Sequence, residues 1–261
     1  MPFTLSHPAA VIPLRRPLGR RAVLSALVIG SMTPDFAYFV GVQSLRASTH
    51  TLASIAWFSL PLGWIAYLGF QFVLKRPAVF LLPKSFRARL DAAPKLQAFW
   101  PVTGCLAIGA LTHIGWDSFT HDSGALVQRL PSLRHLWVEL WGVPVGSYQI
   151  LQHGSTLLGI AGIAGSVAAW IGRTPARELG VSSDSERRLR FWGRAVAGTL
   201  PVAVGLSVGF TLAFPSCSVM SIAWFLAHVL VTALSTCILT LVILAGLLRA
   251  RRRAQSVRGA P

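Results

Sequence analysis

Long apolar runs alternate with short basic or aromatic interruptions along this chain. The runs lie at roughly 22–42, 52–74, 99–116, 150–171, 195–214 and 219–248. A helix needs about 20 apolar residues to cross a bilayer. The pattern therefore predicts an all-α, polytopic helical membrane protein with about six membrane-embedded helices. An earlier apolar stretch, FTLSHPAAVIPL, is too short to span. In it Ser6 suits a helix cap, and Pro8 is tolerated in a first turn. Pro17-Leu18-Gly19 then breaks the chain before 22–32, and Thr33-Pro34 breaks it again, because a residue before proline disfavours helix. These breaks predict a short N-terminal helix forming a hairpin, with an Arg-rich turn at the cytoplasmic surface and His7 directed back toward Asp35.

Composition supports the membrane reading. Hydrophobic residues make up 53% and charged ones 12%, against about 25% charged in a soluble domain. The net charge of +16 invites a nucleic-acid partner, but its distribution argues against one. Twenty-one of the 24 Lys and Arg fall at 15–21, 75–95, 173–194 and 249–258, and only Arg46, Arg129 and Arg134 occupy the alternate loops. That is the positive-inside pattern, with some affinity for anionic lipid. It predicts a cytoplasmic C-terminus and cytoplasmic 75–98 and 172–194 loops. The 43–51 and 117–149 loops and the Pro215–Ser218 turn then lie outside.

The organisation follows. Residues 1–171 form a helical membrane core with the polar chemistry, 172–194 a mobile cytoplasmic loop, 195–248 two accessory spans and 249–261 a basic tail. RARLDA in the 75–98 loop reads as a short surface helix. Small-residue spacing in GIAGIAGSVAA reads as close helix packing. Trp137, Trp141 and Tyr148 in the long outer loop suit a membrane–water interface, and that loop also has the length for a lid. Cys105, Cys217 and Cys237 have no CxxC neighbour, so neither a disulfide nor a thiolate metal site is indicated. Arg20-Arg21 precedes an apolar run, yet no small-x-small cleavage site follows before Pro34-Asp35, and the N-terminus is expected to stay uncleaved.

The candidate chemistry is concentrated in GALTHIGWDSFTH, residues 109–121. His113, Asp117 and His121 are spaced i, i+4, i+8 and share one helix face. Ionisable groups within or at the edge of a span are costly and usually mark function. At 1.5 Å per helical residue, Asp35 lies about 20 Å above residue 22, and His113 about 21 Å above residue 99. Asp117 and His153 each lie about 27 Å above their cytoplasmic ends. His50 falls just outside the second run. Polar residues from three runs thus share the outer third of the bilayer. Asp35 has no basic neighbour in sequence, and an unpaired buried carboxylate is expensive unless a cation satisfies it. His135 and His228 lack acidic neighbours and read as ordinary interhelical or surface histidines. Asp122 reads as a solvated loop residue.

The segments MPFTLSHPAAVIPL, SALVIGSMTPDFAYF, STHTL, LTHIGWDSFTH and LQHGSTLLG resemble an uncharacterised family of bacterial integral membrane proteins. That family is similar in motif order to membrane-bound, metal-dependent hydrolases and, more distantly, to zinc-dependent phospholipase C. The resemblance covers about residues 1–165. It implies metal ligands at His7, Asp35, His50, His113, Asp117, His121 and His153. The chain departs from the phospholipase pattern in two ways. Leu157 stands where a glutamate should follow His153, and the ligating N-terminal amine has no counterpart. One or two metals are expected rather than three.

Histidine and carboxylate donors without thiolates suit Zn²⁺, with Mn²⁺ or Fe²⁺ as alternatives. The expected activity is metal-dependent hydrolysis of an ester or phosphoester, with Asp35 or Asp117 as general base. Membrane lipids or lipid-linked substrates at the outer face of the inner membrane are the expected partners. Two other readings remain open at this level. A metal or proton transporter also uses His/Asp clusters, though its polar positions usually continue to the far side and often repeat in two halves. A structural membrane protein with a stabilising metal would carry the same ligands.

Overall fold

The computed structural model describes residues 4–39, 46–140, 143–213 and 219–258. Trp141, Cys217 and the Pro215–Ser218 turn lie outside those residues, as does the side chain of His228. The fold is all-α at 77% helix, and a single β-hairpin accounts for the strands among the described residues. The principal helices are α1 (Pro8–Val11), α2 (Arg15–Leu18), α3 (Leu24–Gly30) and α4 (Ile55–Leu81). They are followed by α5 (Phe99–Thr120), α6 (Ser147–Arg173), α7 (Asp184–Ala213) and α8 (Val219–Arg258). The hairpin strands are β1 (Leu136–Leu140) and β2 (Val143–Gly146), directly before α6.

Four segments are long and apolar enough to cross a membrane: Ile55–Leu81, Ser147–Arg173, Asp184–Val208 and Val231–Ala250. These match four of the six expected runs and are what a membrane protein requires. The other two runs differ. Among its described residues the first gives the seven-residue α3, turns at Ser31 and Met32, a 3₁₀ turn, Thr33–Asp35, that contains Pro34, and the four-residue helix Phe36–Phe39. The third is the 22-residue α5, whose Gly, Thr, His and Asp content makes it less apolar than the four.

The chain forms two compact units, Met1–Tyr67 with Leu96–Arg173, and Leu68–Lys95 with Thr174–Pro261. In the first, Val11, Val23, Leu27, Tyr67, Val102 and Leu106 form the apolar core. There α3 lies directly on α5. A Cβ at Gly30 would sit 2.3 Å from the Leu106 carbonyl oxygen, and one at Gly109 would sit 2.4 Å from that of Leu27. Small residues permit this backbone-to-backbone approach. Gly159 of α6 similarly meets Ser6, whereas Gly162 and Gly165 meet nothing within 4 Å. The small-residue stripe in α6 is therefore a packing surface at one position only. The N-terminal chain turns at Gly19, whose φ of +53° favours glycine. The residue at the start of α1 is His7 rather than Ser6, which instead belongs to the turn Thr4–Ser6.

Within α4, two segments carry turns one residue wider than α. Leu60 N donates to Ile55 O, and Lys75 N to Phe70 O. In the second unit, α7 and α8 pack with Gly205 against the Val229 carbonyl. The RARLDA segment forms no surface helix, since only Lys84–Arg87 is helical. Residues 84–91 are instead tied to the next loop, with Arg177 N donating to Ala88 O and Arg89 Nε to Thr174 O. That loop is also shorter than expected, because α7 already begins at Asp184.

Candidate metal centre

Four structural devices set the site in the first unit. The α5 face presents His113, Asp117 and His121, with the helix ending where His121 turns extended. The 3₁₀ turn after α3 presents Asp35, anchored by Thr33 Oγ1 donating to Gly30 O. The N-terminal turn brings in Thr4 and His7, and Thr4 Oγ1 donates to Asp35 Oδ2 at 2.6 Å. His50 arrives just after the Arg46–Thr49 turn.

These groups converge. His50 Nε2 lies 3.2 Å from Asp35 Oδ1 and 3.5 Å from Asp117 Oδ2. His113 Nε2 lies 3.6 Å from Asp35 Oδ1 and 3.5 Å from Asp117 Oδ2. His7 Nε2 is 3.6 Å from Asp117 Oδ1, and His121 Nδ1 is 3.3 Å from Asp117 Oδ2. The His7 ring stacks on His113 at 3.8 Å between centroids. Two triads have ligand atoms within 4.8 Å of one another: His7, Asp35 and His113, and His50, His113 and Asp117. His113 and Asp35 are fully enclosed, while the His50 side chain is 12% exposed. Access from outside therefore runs past His50 and His121.

Two observations test whether a metal fits. The first is tautomer. His113 Nδ1 donates to the Ser31 carbonyl at 2.8 Å, so Nε2 is the nitrogen turned toward the carboxylates. A backbone carbonyl behind a histidine is the usual outer support of a metal ligand. Close contact of Gly30 with α5 brings that carbonyl within reach. The second is spacing. A charge-assisted hydrogen bond measures about 2.7–2.9 Å. Nitrogen and oxygen ligands at about 2.0–2.2 Å in a tetrahedron lie about 3.3–3.6 Å apart. Five of the six observed separations match the second, and that of His50 to Asp35, at 3.2 Å, lies just below it. Moreover, His7 Nε2, Asp35 Oδ1 and His113 Nε2 are buried and make no hydrogen bond. The donor set fits a divalent cation.

Six of the seven expected ligand positions are thus brought together. His153 is not. It is exposed on α6, and the neighbouring Gln152 is buried in its place. His135 is exposed and packs edge-on against Trp137, away from the cluster. Asp122 is exposed, as expected of a loop residue. Thr4 and the Ser31 carbonyl were not anticipated. The Thr4 hydroxyl stands three residues before His7 in the sequence, whereas a carbonyl carries no sequence signal.

Fold and site together define a helical membrane protein built around a buried imidazole–carboxylate cluster. The chain belongs to the family described as a domain of unknown function, DUF4184, which it matches over residues 1–246. No curated protein and no solved structure matches it.

Proposed function

We propose that this chain is a membrane-bound, metal-dependent hydrolase acting on ester or phosphoester bonds of lipid or lipid-linked substrates. Its site opens toward the extracytoplasmic face of the inner membrane, and its C-terminus is cytoplasmic. The observation that carries this reading is the convergence of His7 Nε2, Asp35 Oδ1 and His113 Nε2, buried without a hydrogen bond and close enough together to hold one ion. Isolated buried charges are costly, and a cation offsets that cost.

His7, Asp35 and His113 would hold the metal on the enclosed side, with His50 and Asp117 on the more open side. Zinc suits this set best, with manganese or iron as alternatives. When bound, such a cation polarises the scissile ester and provides a water nucleophile near neutral pH. Thr4 fixes Asp35 through Oδ2 and leaves Oδ1 directed at the cluster. Asp117 lies beside His50 and His121, where a carboxylate has reach to accept a proton from an incoming water. Ser31 holds the His113 ring in the orientation that ligation needs.

Metal analysis of the purified full chain tests this. Wild type should carry about one or two transition-metal ions per chain, and Asp35→Ala and Asp117→Ala should each lose most of that metal. Turnover of a phospholipid or lipid-linked phosphoester should stop with a chelator and return with Zn²⁺ or Mn²⁺. Absence of stoichiometric metal, together with full complementation of a deletion by Asp117→Ala, would reject the proposal. Stoichiometric metal without turnover of any such ester would favour a stabilising metal instead.

A further inference from the structure

The hairpin before α6 has an unusual surface. Leu136, Trp137 and Val138 are 61%, 65% and 49% exposed in succession. A two-stranded ribbon has no core of its own and is marginal in water. Exposed apolar residues grouped in this way mark a contact surface. The register divides the ribbon into two faces. Val138 pairs with Val145, and the next pair, Glu139 with Pro144, lies on the opposite side because side chains alternate.

The base of the ribbon is fixed to a membrane span. β2 ends at Gly146, and α6 starts at Ser147 with no linker. Ser147 N donates to His135 O at 3.0 Å, and Trp137 Nε1 donates to Ser147 Oγ at 2.9 Å. No residue in the most apolar stretch of α6 is buried in the protein. Its exposed Ile150, Leu151, Leu157 and Leu158 continue the apolar surface away from the ribbon. The ribbon is thereby held at the level where the span begins. Its Trp137 N–H is satisfied internally, so the ring offers only apolar surface outward, as suits an indole at the headgroup boundary. Arg129 and Arg134 are exposed just upstream, in reach of lipid phosphates.

We propose that the β1–β2 ribbon lies flat in the membrane–water interface, with the Val138–Val145 face on the acyl chains and the Glu139–Pro144 face toward headgroups and water. The occupant of the apolar face is the bilayer itself. A protein partner covering the ribbon would have to bury Glu139 or leave one face bare. An interface is apolar on one side and wetter on the other, and beyond the register shift at 136–138 the ribbon's pairs divide in that way, with Val138–Val145 apolar and Glu139–Pro144 bearing the charge. This inference does not depend on the chemistry of the buried cluster.

Adjacent residues give a sharp test. Spin labels placed singly at Val138→Cys and Glu139→Cys, in a full chain lacking its native cysteines, are measured in nanodiscs of zwitterionic and anionic phospholipid. The label at 138 should collide with oxygen in preference to a water-soluble nickel chelate, and the label at 139 should show the reverse. Leu157→Cys supplies the lipid-facing reference. Two aqueous readings at 138 and 139 would overturn the proposal, and so would dipolar broadening from a second copy. If the cysteine-free chain does not fold, unmodified protein is footprinted with a lipid-tethered diazirine and an aqueous one. Labelling of the peptide containing 136–138 from the lipid side supports the proposal, and labelling only from water overturns it.

Discussion

The two units of this chain place their polar side chains in opposite ways. In the unit containing α7 and α8, arginines reach backbone carbonyls at full hydrogen-bond length. Arg194 donates to Leu81 O at 2.6 Å and to Leu82 O at 3.0 Å, capping the end of α4. Arg177 donates to Leu90 O and Arg249 to Phe72 O, each at 2.6 Å. Arg190, itself buried, donates to Ser182 Oγ and lies 5.0 Å over the Phe80 ring. In the unit containing α3 and α5, imidazole nitrogens face carboxylate oxygens at 3.2–3.6 Å. The arginines that mark topology also fasten loops, and their charge is satisfied by main chain. The histidines and aspartates are held apart at the spacing of a ligand shell. Satisfied polar groups serve the fold. His7 Nε2, Asp35 Oδ1 and His113 Nε2, buried without a hydrogen bond, indicate where something else binds.

The largest effect should come from the backbone contact that carries the cluster. Gly30→Leu drives a side chain into the Leu106 carbonyl, beyond the about 1–3 kcal/mol typical of overpacking, and should abolish monodisperse protein in detergent. Gly162→Leu, which meets open space, should not. Equal yields from the two variants would mean that the α3–α5 crossing is not what holds the first unit. A smaller effect is expected at the support of Asp35. Thr4→Val should weaken metal affinity about 10–100-fold, the usual cost of losing an outer support, and Thr4→Ser should restore it. Competition against a chromogenic chelator reads this directly, and unchanged affinity in Thr4→Val would separate Thr4 from the site.

The smallest effects should sharpen the contrast between the units. Arg194→Ala removes hydrogen bonds to a charged donor, each worth about 1.5–3 kcal/mol at most and less where exposed. It should lower thermal stability while leaving metal content unchanged. His153→Ala should alter neither, within about 0.5 kcal/mol. Metal lost from Arg194→Ala would show that the two units are not independent in the way their polar groups indicate.

Helical spacing made the α5 motif readable, since i, i+4 and i+8 determine a shared face whatever surrounds the helix. Asp35, His7 and His50 were reachable through depth, because the breaks at Gly19 and Pro34 fold the N-terminal chain back on itself. Depth gives a level and no direction around a helix, and so it cannot separate His153 from Gln152. His153 stands at the right height on α6, but one residue of rotation turns it outward and Gln152 inward. The extent of α3 was hidden for a different reason. Hydropathy reports that a stretch is apolar, and it cannot distinguish a span from a short helix capped by turns. Contacts made by bare backbone, such as Ser31 O with His113, depend on how close two helices come and leave no mark on composition.

The two wide turns of α4 make the length of the chain itself informative. One α-helical residue turns the face by about 100°. Each wide turn holds a residue more than the regular helix needs and absorbs it locally, so the faces on either side stay in register. Deleting any one residue of Ile55–Ser59 would relax that turn into an ordinary helix at little local cost. It would leave everything upstream, His50 included, facing as before, whereas the same loss from the regular turns of Leu60–Gly69 would swing it by about 100°. A loss in that segment is thus far more permissible than a loss one turn further on, whatever residue is lost.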